Sequence, residues 1–207
     1  FRRLTATEGV MASIVNICNI GLSHIGSSAL VSSIDPPDGS VEAQHCKTFY
    51  DQCRTAMLEA GAWAFALKRA ELAEVTNLSN AWYYAYALPS DCMSAKRVLK
   101  TGSTSDNDGR PFEIEGETLY TNESEAVLLY VRDIVDTTKF TPGFVEALGY
   151  LMGSYLAGPI IKGFESIKIG DALRQRAMQL ASAAAAVSAN ASMYDEEYIA
   201  TSIKARG

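Results

Sequence analysis

Phe112-Glu113-Ile114-Glu115-Gly116-Glu117-Thr118-Leu119-Tyr120 alternates apolar and polar residues up to a glycine and resumes beyond it. Alternation with period two turns one face of a strand toward a core and the other toward water. A glycine between two such runs permits the tight turn of a β-hairpin. Just beyond, Ala126 to Ile134 is apolar on both faces, with Val127, Leu129 and Val131 on one and Leu128 and Tyr130 on the other, so it reads as a central strand. Upstream, Ser94 to Lys100 can form another strand. Three or four antiparallel strands in succession predict a small β-meander.

Helical periodicity flanks this β-rich middle on both sides. From about Thr7 to His24, Val10, Ile14, Ile17, Cys18 and Leu22 recur at steps of three and four, which predicts a helix with one buried stripe. Gly26-Ser27-Ser28 ends it. Pro36-Pro37 then requires a loop, because prolines cannot donate backbone hydrogen bonds and bias the preceding residue away from helix. Ser40 is placed to cap a second helix running to about Ala60, with Cys46, Phe49, Tyr50, Cys53 and Met57 as its stripe. Trp63 to Leu67 is a short apolar segment ending in charge, and Trp82 to Leu88 is aromatic and stopped by Pro89.

Thr141-Pro142 opens a third helix through Phe144, Leu148, Leu151 and Tyr155, expected to stop near Gly158-Pro159. A last helix from about Asp171 to Ala191 carries Leu173, Ala177, Leu180, Ala184 and Val187, with unbroken alanine from Ala183 to Ala186. Alanine lets another helix approach closely, so Ala177, Ala184 and Val187 are candidate subunit-packing residues. The expected class is α+β. Its parts are a helical bundle of residues 1–93 and 135–191, an inserted antiparallel β-domain at 94–134 and an extended C-terminal arm at 192–207.

The 207 residues are 48% hydrophobic and 20% charged, enough apolar mass for a core. Lys plus Arg total 18 against 24 Asp plus Glu, a net charge of -6. That balance argues against a protein whose main task is gripping nucleic acid, which concentrates positive charge. No apolar run is read as approaching the ~20 residues of a membrane helix, and no signal-peptide pattern opens the chain, so a soluble protein is expected. Cys18, Cys46, Cys53 and Cys92 form no C-x-x-C pair, and with His24 and His45 they offer no zinc spacing. Reduced structural thiols are expected, with no metal and no cofactor.

Motifs of enzymatic chemistry are missing. There is no phosphate-binding G-x-x-x-x-G-K-[ST] loop, no G-x-G-x-x-G after a strand, no H-E-x-x-H and no G-x-S-x-G elbow. Thr104 to Glu115 places Asp106, Asp108, Gly109 and Glu115 at EF-hand positions three, five, six and twelve. The first position is Thr rather than Asp, and Glu115 falls inside the expected hairpin, so a solvated β-turn is the better reading. The aromatic group Trp63, Phe65, Trp82, Tyr83, Tyr84 and Tyr86 has only Lys68 and Arg69 nearby, which favours packing where helices meet a sheet over base stacking.

Two segments carry a more specific signal together. Trp63-Ala64-Phe65-Ala66-Leu67-Lys68-Arg69-Ala70-Glu71-Leu72-Ala73, followed by Tyr84-Ala85-Tyr86-Ala87-Leu88-Pro89-Ser90-Asp91-Cys92, resembles the W-x-F-A-x-x-R-x-x-L-A … Y-x-Y-x-L-P-x-D-C pattern of the tail tubular protein A family of tailed bacteriophages. Leu128 to Val131, Phe140, Phe144 to Leu148 and the break at Pro159 are similar to that family as well, so the resemblance spans roughly Ile14 to Ala191.

The resemblance implies a structural virion protein, the head-to-tail adaptor of a short-tailed phage, assembled in the host cytoplasm and residing in the neck. It implies a homo-oligomeric ring of about twelve copies that binds the portal protein, docks the tail nozzle protein and in some phages carries tail fibres. Genomic DNA would pass through the lumen without tight binding, and no membrane is involved. It implies a helical bundle with an inserted β-domain and no catalytic residues. Twelve copies at -6 each would carry about -72 formal charges, and an acidic wall lets DNA slide. Independently of the resemblance, Tyr194, Tyr198, Ile199 and Ile203, with Lys204 and Arg206, lie on a segment too short to fold alone, which predicts a docking arm for the portal or the neighbouring subunit. The alternative functions are a nucleic-acid-binding packaging factor resembling a small terminase subunit and, less favoured, a small enzyme.

Overall fold

The computed structural model describes residues 13–102 and 109–191. Four helices, α1 (Ile14–His24), α2 (Val41–Ala60), α3 (Pro142–Ile161) and α4 (Phe164–Ala191), bracket six strands. The strands are β1 (Leu67–Glu71), β2 (Tyr84–Ala87), β3 (Cys92–Lys100), β4 (Phe112–Glu115), β5 (Thr118–Thr121) and β6 (Ala126–Arg132). The fold is α+β, with the sheets inserted between the second and third helices.

Each of the first three helices starts on a hydroxyl that accepts an otherwise unpaired backbone N–H. Ser13 Oγ accepts from Asn16 at 3.1 Å, Ser40 Oγ from Ala43 at 3.1 Å and Thr141 Oγ1 from Phe144 at 3.4 Å. Caps of this kind contribute about 1 kcal/mol each. The expected stripes are the buried ones: Ile17, Cys18 and Leu22 on α1, and Cys46, Tyr50, Cys53 and Met57 on α2. Phe49 is half-buried against Tyr155, ring centroids 5.6 Å apart. The part of the first predicted helix before Ser13, including Val10, lies outside the described residues.

α3 is the central helix and packs against α1, α2 and α4. Its 20 residues are long and apolar enough to cross a membrane by length and composition, which corrects the sequence reading that no run approaches that size. Here the apolarity serves the bundle: Phe144, Leu148, Leu151, Met152 and Leu156 are all buried in its core. The crossing with α1 is close because both helices lack side chains at the contact. A Cβ on Gly21 would stand 2.9 Å from Met152 Cβ, and one on Gly153 would stand 3.0 Å from the Gly21 carbonyl oxygen.

α3 does not stop at Gly158-Pro159 but runs to Ile161. Proline in the last turn forfeits only one intrahelical bond, and the Lys162 N–H closes the end on the Gly158 carbonyl at 3.3 Å. Lys162 and Gly163 both take positive φ, 59° and 78°, which reverses the chain within two residues. α4 therefore begins at Phe164 rather than Asp171. Sequence periodicity missed those first two turns because Phe164 and Ile167 are exposed and extend no buried stripe.

The strands form two antiparallel three-stranded sheets, ordered β1-β6-β3 and β2-β5-β4, rather than one meander. The β4–β5 hairpin turns on Gly116 at φ 59°, and β6 is the central strand of its sheet, both as expected. Strands β1 and β2 precede the expected start of the β-domain at residue 94. The short Lys- and Arg-bearing run after Trp63 reads as a strand only because β6 pairs with it, Leu67 opposite Val131 through Glu71 opposite Val127. Tyr86, Val98, Leu119, Ala126, Leu128 and Tyr130 pack into a second core drawn from both sheets.

Candidate functional site

The chain leaves the bundle after Trp63 and returns before Phe144, and the two crossings are locked together. Trp63 Nε1 donates to the Met57 carbonyl at 2.7 Å, while its ring meets Phe144 edge-on at 5.0 Å. Phe65 sits 5.8 Å from Phe140 and 5.1 Å from Phe144, so the outgoing and returning segments share one aromatic cluster. Above it, Arg54 of α2 is 4% exposed and donates Nη1 to the Asp133 carboxylate and, at 2.9 Å, to the Ile134 carbonyl. Asp51 lies 3.6 Å from its Nε. A cation this buried is held by pairing, since desolvating it alone would cost several kcal/mol.

On the sheets, Asp91 gathers a second polar group. Tyr130 Oη donates to Asp91 Oδ1 at 2.7 Å, and Lys68 Nζ lies 2.8 Å from Oδ2. The Lys68 hydrogen bond, followed by that of Tyr130, holds the Asp91 carboxyl below its ordinary range. The Asp133 N–H also donates to the Asp91 carbonyl at 3.0 Å, tying the start of β3 to the end of β6. Tyr84 and Tyr86 stack at 6.4 Å, Tyr86 Oη donates to the Glu123 carbonyl at 3.0 Å, and Trp82 Nε1 donates to Glu113 at 2.9 Å. The aromatic group of the sequence thus divides. Trp63 and Phe65 belong to the bundle core, whereas Trp82 to Tyr86 belong to the second sheet, where Tyr83 is 80% exposed.

Cys18, Cys46 and Cys53 are buried free thiols, and Cys92 is half-buried. Burial pushes the Cys53 thiol up to about 12, and contact with Cys46 together with burial pushes Cys18 up as well. Cys18 and Cys53 therefore stay protonated and behave as small apolar side chains, while the hydrogen bond with Cys18 pulls the Cys46 thiol down. Among the described residues no three His, Cys, Asp or Glu side chains converge as a metal site. The EF-hand-like positions from Thr104 to Asp108 lie outside the described residues, while Glu115 stands in β4.

The candidate docking residues Tyr194, Tyr198, Ile199, Ile203, Lys204 and Arg206 also lie outside the described residues. Of the candidate subunit-packing residues, Ala177 is fully buried within the chain's own bundle, so its small size serves the packing of α4 inside this subunit. Ala184 is half-buried, and Val187 lies in α4 with its side chain outside the described set. Among the described residues, the open surfaces include Leu78 and Tyr83 beside the second sheet, Phe164 and Ile167 at the start of α4, and the outer edges of β1 and β4, which pair with no described strand. Sequence reasoning missed the β1 edge because five residues with two cations carry no strand signal by themselves. No family model matches the chain, and no curated protein matches it.

Proposed function

We propose that this chain is a head-to-tail adaptor of a short-tailed bacteriophage, a structural protein that closes into a ring beneath the portal and receives the tail nozzle. The observation that carries the reading is the position of the residues that resemble tail tubular protein A. Trp63, Phe65 and Leu67 form the outgoing crossing from bundle to sheets, Tyr84 and Tyr86 form β2, and Asp91 closes the polar group with Lys68 and Tyr130. The motif therefore falls on the joint that defines this architecture rather than on scattered surface positions. The α+β class agrees with the one the resemblance implies, and the net charge of -6 suits a channel that conducts DNA without holding it.

The decisive experiment mixes the purified full chain with the portal ring of the same virus and weighs the product by native mass spectrometry. The adaptor reading expects a portal-bound ring of about twelve copies. Salt-sensitive binding to duplex DNA, with no portal complex, would favour the packaging-factor reading instead.

A further inference from the structure

Two sheet edges of this subunit have no partner strand among the described residues, and they carry opposite charge. β1 is the outer strand of the first sheet and presents Lys68, Arg69 and Glu71, a net positive edge; β4 is the outer strand of the second and presents Glu113 and Glu115, all five exposed. The other two edges are engaged within the chain. Val75 N–H bonds the Ala85 carbonyl at 2.8 Å and Ala87 N–H the Ala73 carbonyl at 2.9 Å, covering β2, while Arg110 N–H bonds the Val98 carbonyl of β3 at 2.8 Å.

The backbone parity of the open edges follows from neighbouring bonds. Leu72 N–H bonds the Ala126 carbonyl at 3.0 Å. By strand alternation Lys68 and Ala70 also turn their N–H and C=O to β6, so Leu67, Arg69 and Glu71 turn theirs away from it. In the β4–β5 hairpin, Glu115 and Thr118 flank the two-residue loop and exchange hydrogen bonds, which leaves Phe112 and Ile114 pointing outward. An antiparallel register that sets residue 69 opposite 114 brings outward groups together over the whole length of both strands. The same register sets Lys68 opposite Glu115 and diagonal to Glu113, where opposite charges attract across a strand pair.

We infer that copies of this chain join through antiparallel pairing of β4 of one copy with β1 of the next. Pairing β4 with β4 would set glutamates against glutamates, and pairing β1 with β1 would leave that acidic edge unmatched; the mixed pair matches both edges at once. A mixed pair is heterologous, the type of contact that builds a ring where the rotation between copies closes. The inference rests on the ring reading above and names the contact that builds it. Lys68 keeps its bond to Asp91, since an ammonium has further donors to offer Glu115.

The test compares ring formation by the wild-type chain with that of Ile114→Pro, Ile114→Thr and Glu115→Lys, with and without portal, by native mass spectrometry over a concentration series. Ile114→Pro removes one outward N–H and no bond to β5, a change that edge strands tolerate. The inference expects Ile114→Pro and Glu115→Lys each to raise the concentration needed for half-assembly about tenfold or more, with Ile114→Thr near wild type. If Ile114→Pro does not fold, as judged by circular dichroism, Glu115→Lys on the solvent side decides alone. A wild-type ring that both folded variants form equally well overturns the β4–β1 contact and leaves the adaptor reading standing. A wild-type chain that never assembles, or that closes at two copies, overturns both.

Discussion

The carbonyl oxygen of Gly21 lies 3.0 Å from the place where a Cβ on Gly153 would stand, so α1 and α3 touch backbone to backbone. Valine at position 21 would drive into Met152 Cβ, 2.9 Å from the new Cβ, and neither helix can yield without disturbing the core. Gly21→Val is expected to destabilise by about 1–3 kcal/mol in urea unfolding. Gly143→Ala, in the first turn of α3 with nothing within 4 Å of the new Cβ, is expected to be neutral or stabilising by a few tenths of a kcal/mol. Equal effects at both positions would contradict the close crossing.

Removing the carboxylate of Asp133 leaves Arg54 buried with only the Ile134 carbonyl and the more distant Asp51. Asp133→Ala is expected to cost about 2–3 kcal/mol, and Asp133→Asn less, because the amide oxygen still accepts a hydrogen bond. Replacing Arg54 and Asp133 together with Leu and Ala should cost less than the two single changes summed, which a double-mutant cycle measures. Strict additivity would mean that the pair does not couple.

His24 stacks on Tyr150 at 4.0 Å, and its Nε2 is buried with no hydrogen-bond partner among the described residues. Burial lowers its pKa, opposed by Glu146 nearby. As pH falls through the ordinary histidine value of ~6.5 the unfolded chain binds a proton that the folded chain resists, so stability drops until the lowered folded value is passed. The melting temperature of the wild type should therefore fall more between pH 7 and pH 5 than that of His24→Gln. Parallel pH profiles for the two proteins would rule this out.

The Asp91 carboxyl titrates low because Lys68 and Tyr130 both favour its charged form. Its contribution is complete above the ordinary carboxylate value of ~3.9 and disappears as pH falls through the depressed one. Asp91→Ala also strands the hydroxyl of fully buried Tyr130. A loss of about 1–2 kcal/mol at neutral pH is expected, and Tyr130→Phe in the Asp91→Ala background should restore part of it. No restoration would show that the hydroxyl finds another partner.

Truncation after Ala191 tests the proposed docking arm. The shortened chain is expected to stay folded, as judged by circular dichroism, and to lose its association with the portal. Undiminished association would move the contact elsewhere.

The helices were legible where burial and periodicity coincide. Ser40, Cys46, Tyr50, Cys53 and Met57 state α2 almost to the residue, and Gly116 between two alternating runs states the β4–β5 hairpin. What escaped is what only distant residues decide. β1 is a strand because β6 pairs with it, and Leu67-Lys68-Arg69-Ala70-Glu71 contains nothing that would announce it. Arg54 looks like a solvated helix residue until Asp133 and Ile134 arrive from the far side of the sheets. Ala177 suggested a neighbour's helix, yet the bundle itself takes up that face. Pairings as distant in the chain as Arg54 with Ile134 leave little trace in local pattern, and the open strand edges are defined by the absence of a partner among the described residues.

The chain departs from the helices and comes back at one place, with Leu67 opposite Val131 and Phe65 beside Phe140. To the bundle, the chain between Leu67 and Val131 is a single exchangeable cassette whose two ends already stand side by side, while Val131, Asp133 and Ile134 stay with the helices. A sheet module of different length or surface, offered with adjoining ends, would fit the same socket without lengthening any helix. A lineage of such proteins could then hold its helices fixed while it changes what the strands present, and a chimera that grafts foreign strands between Leu67 and Val131 would be the laboratory form of the same exchange.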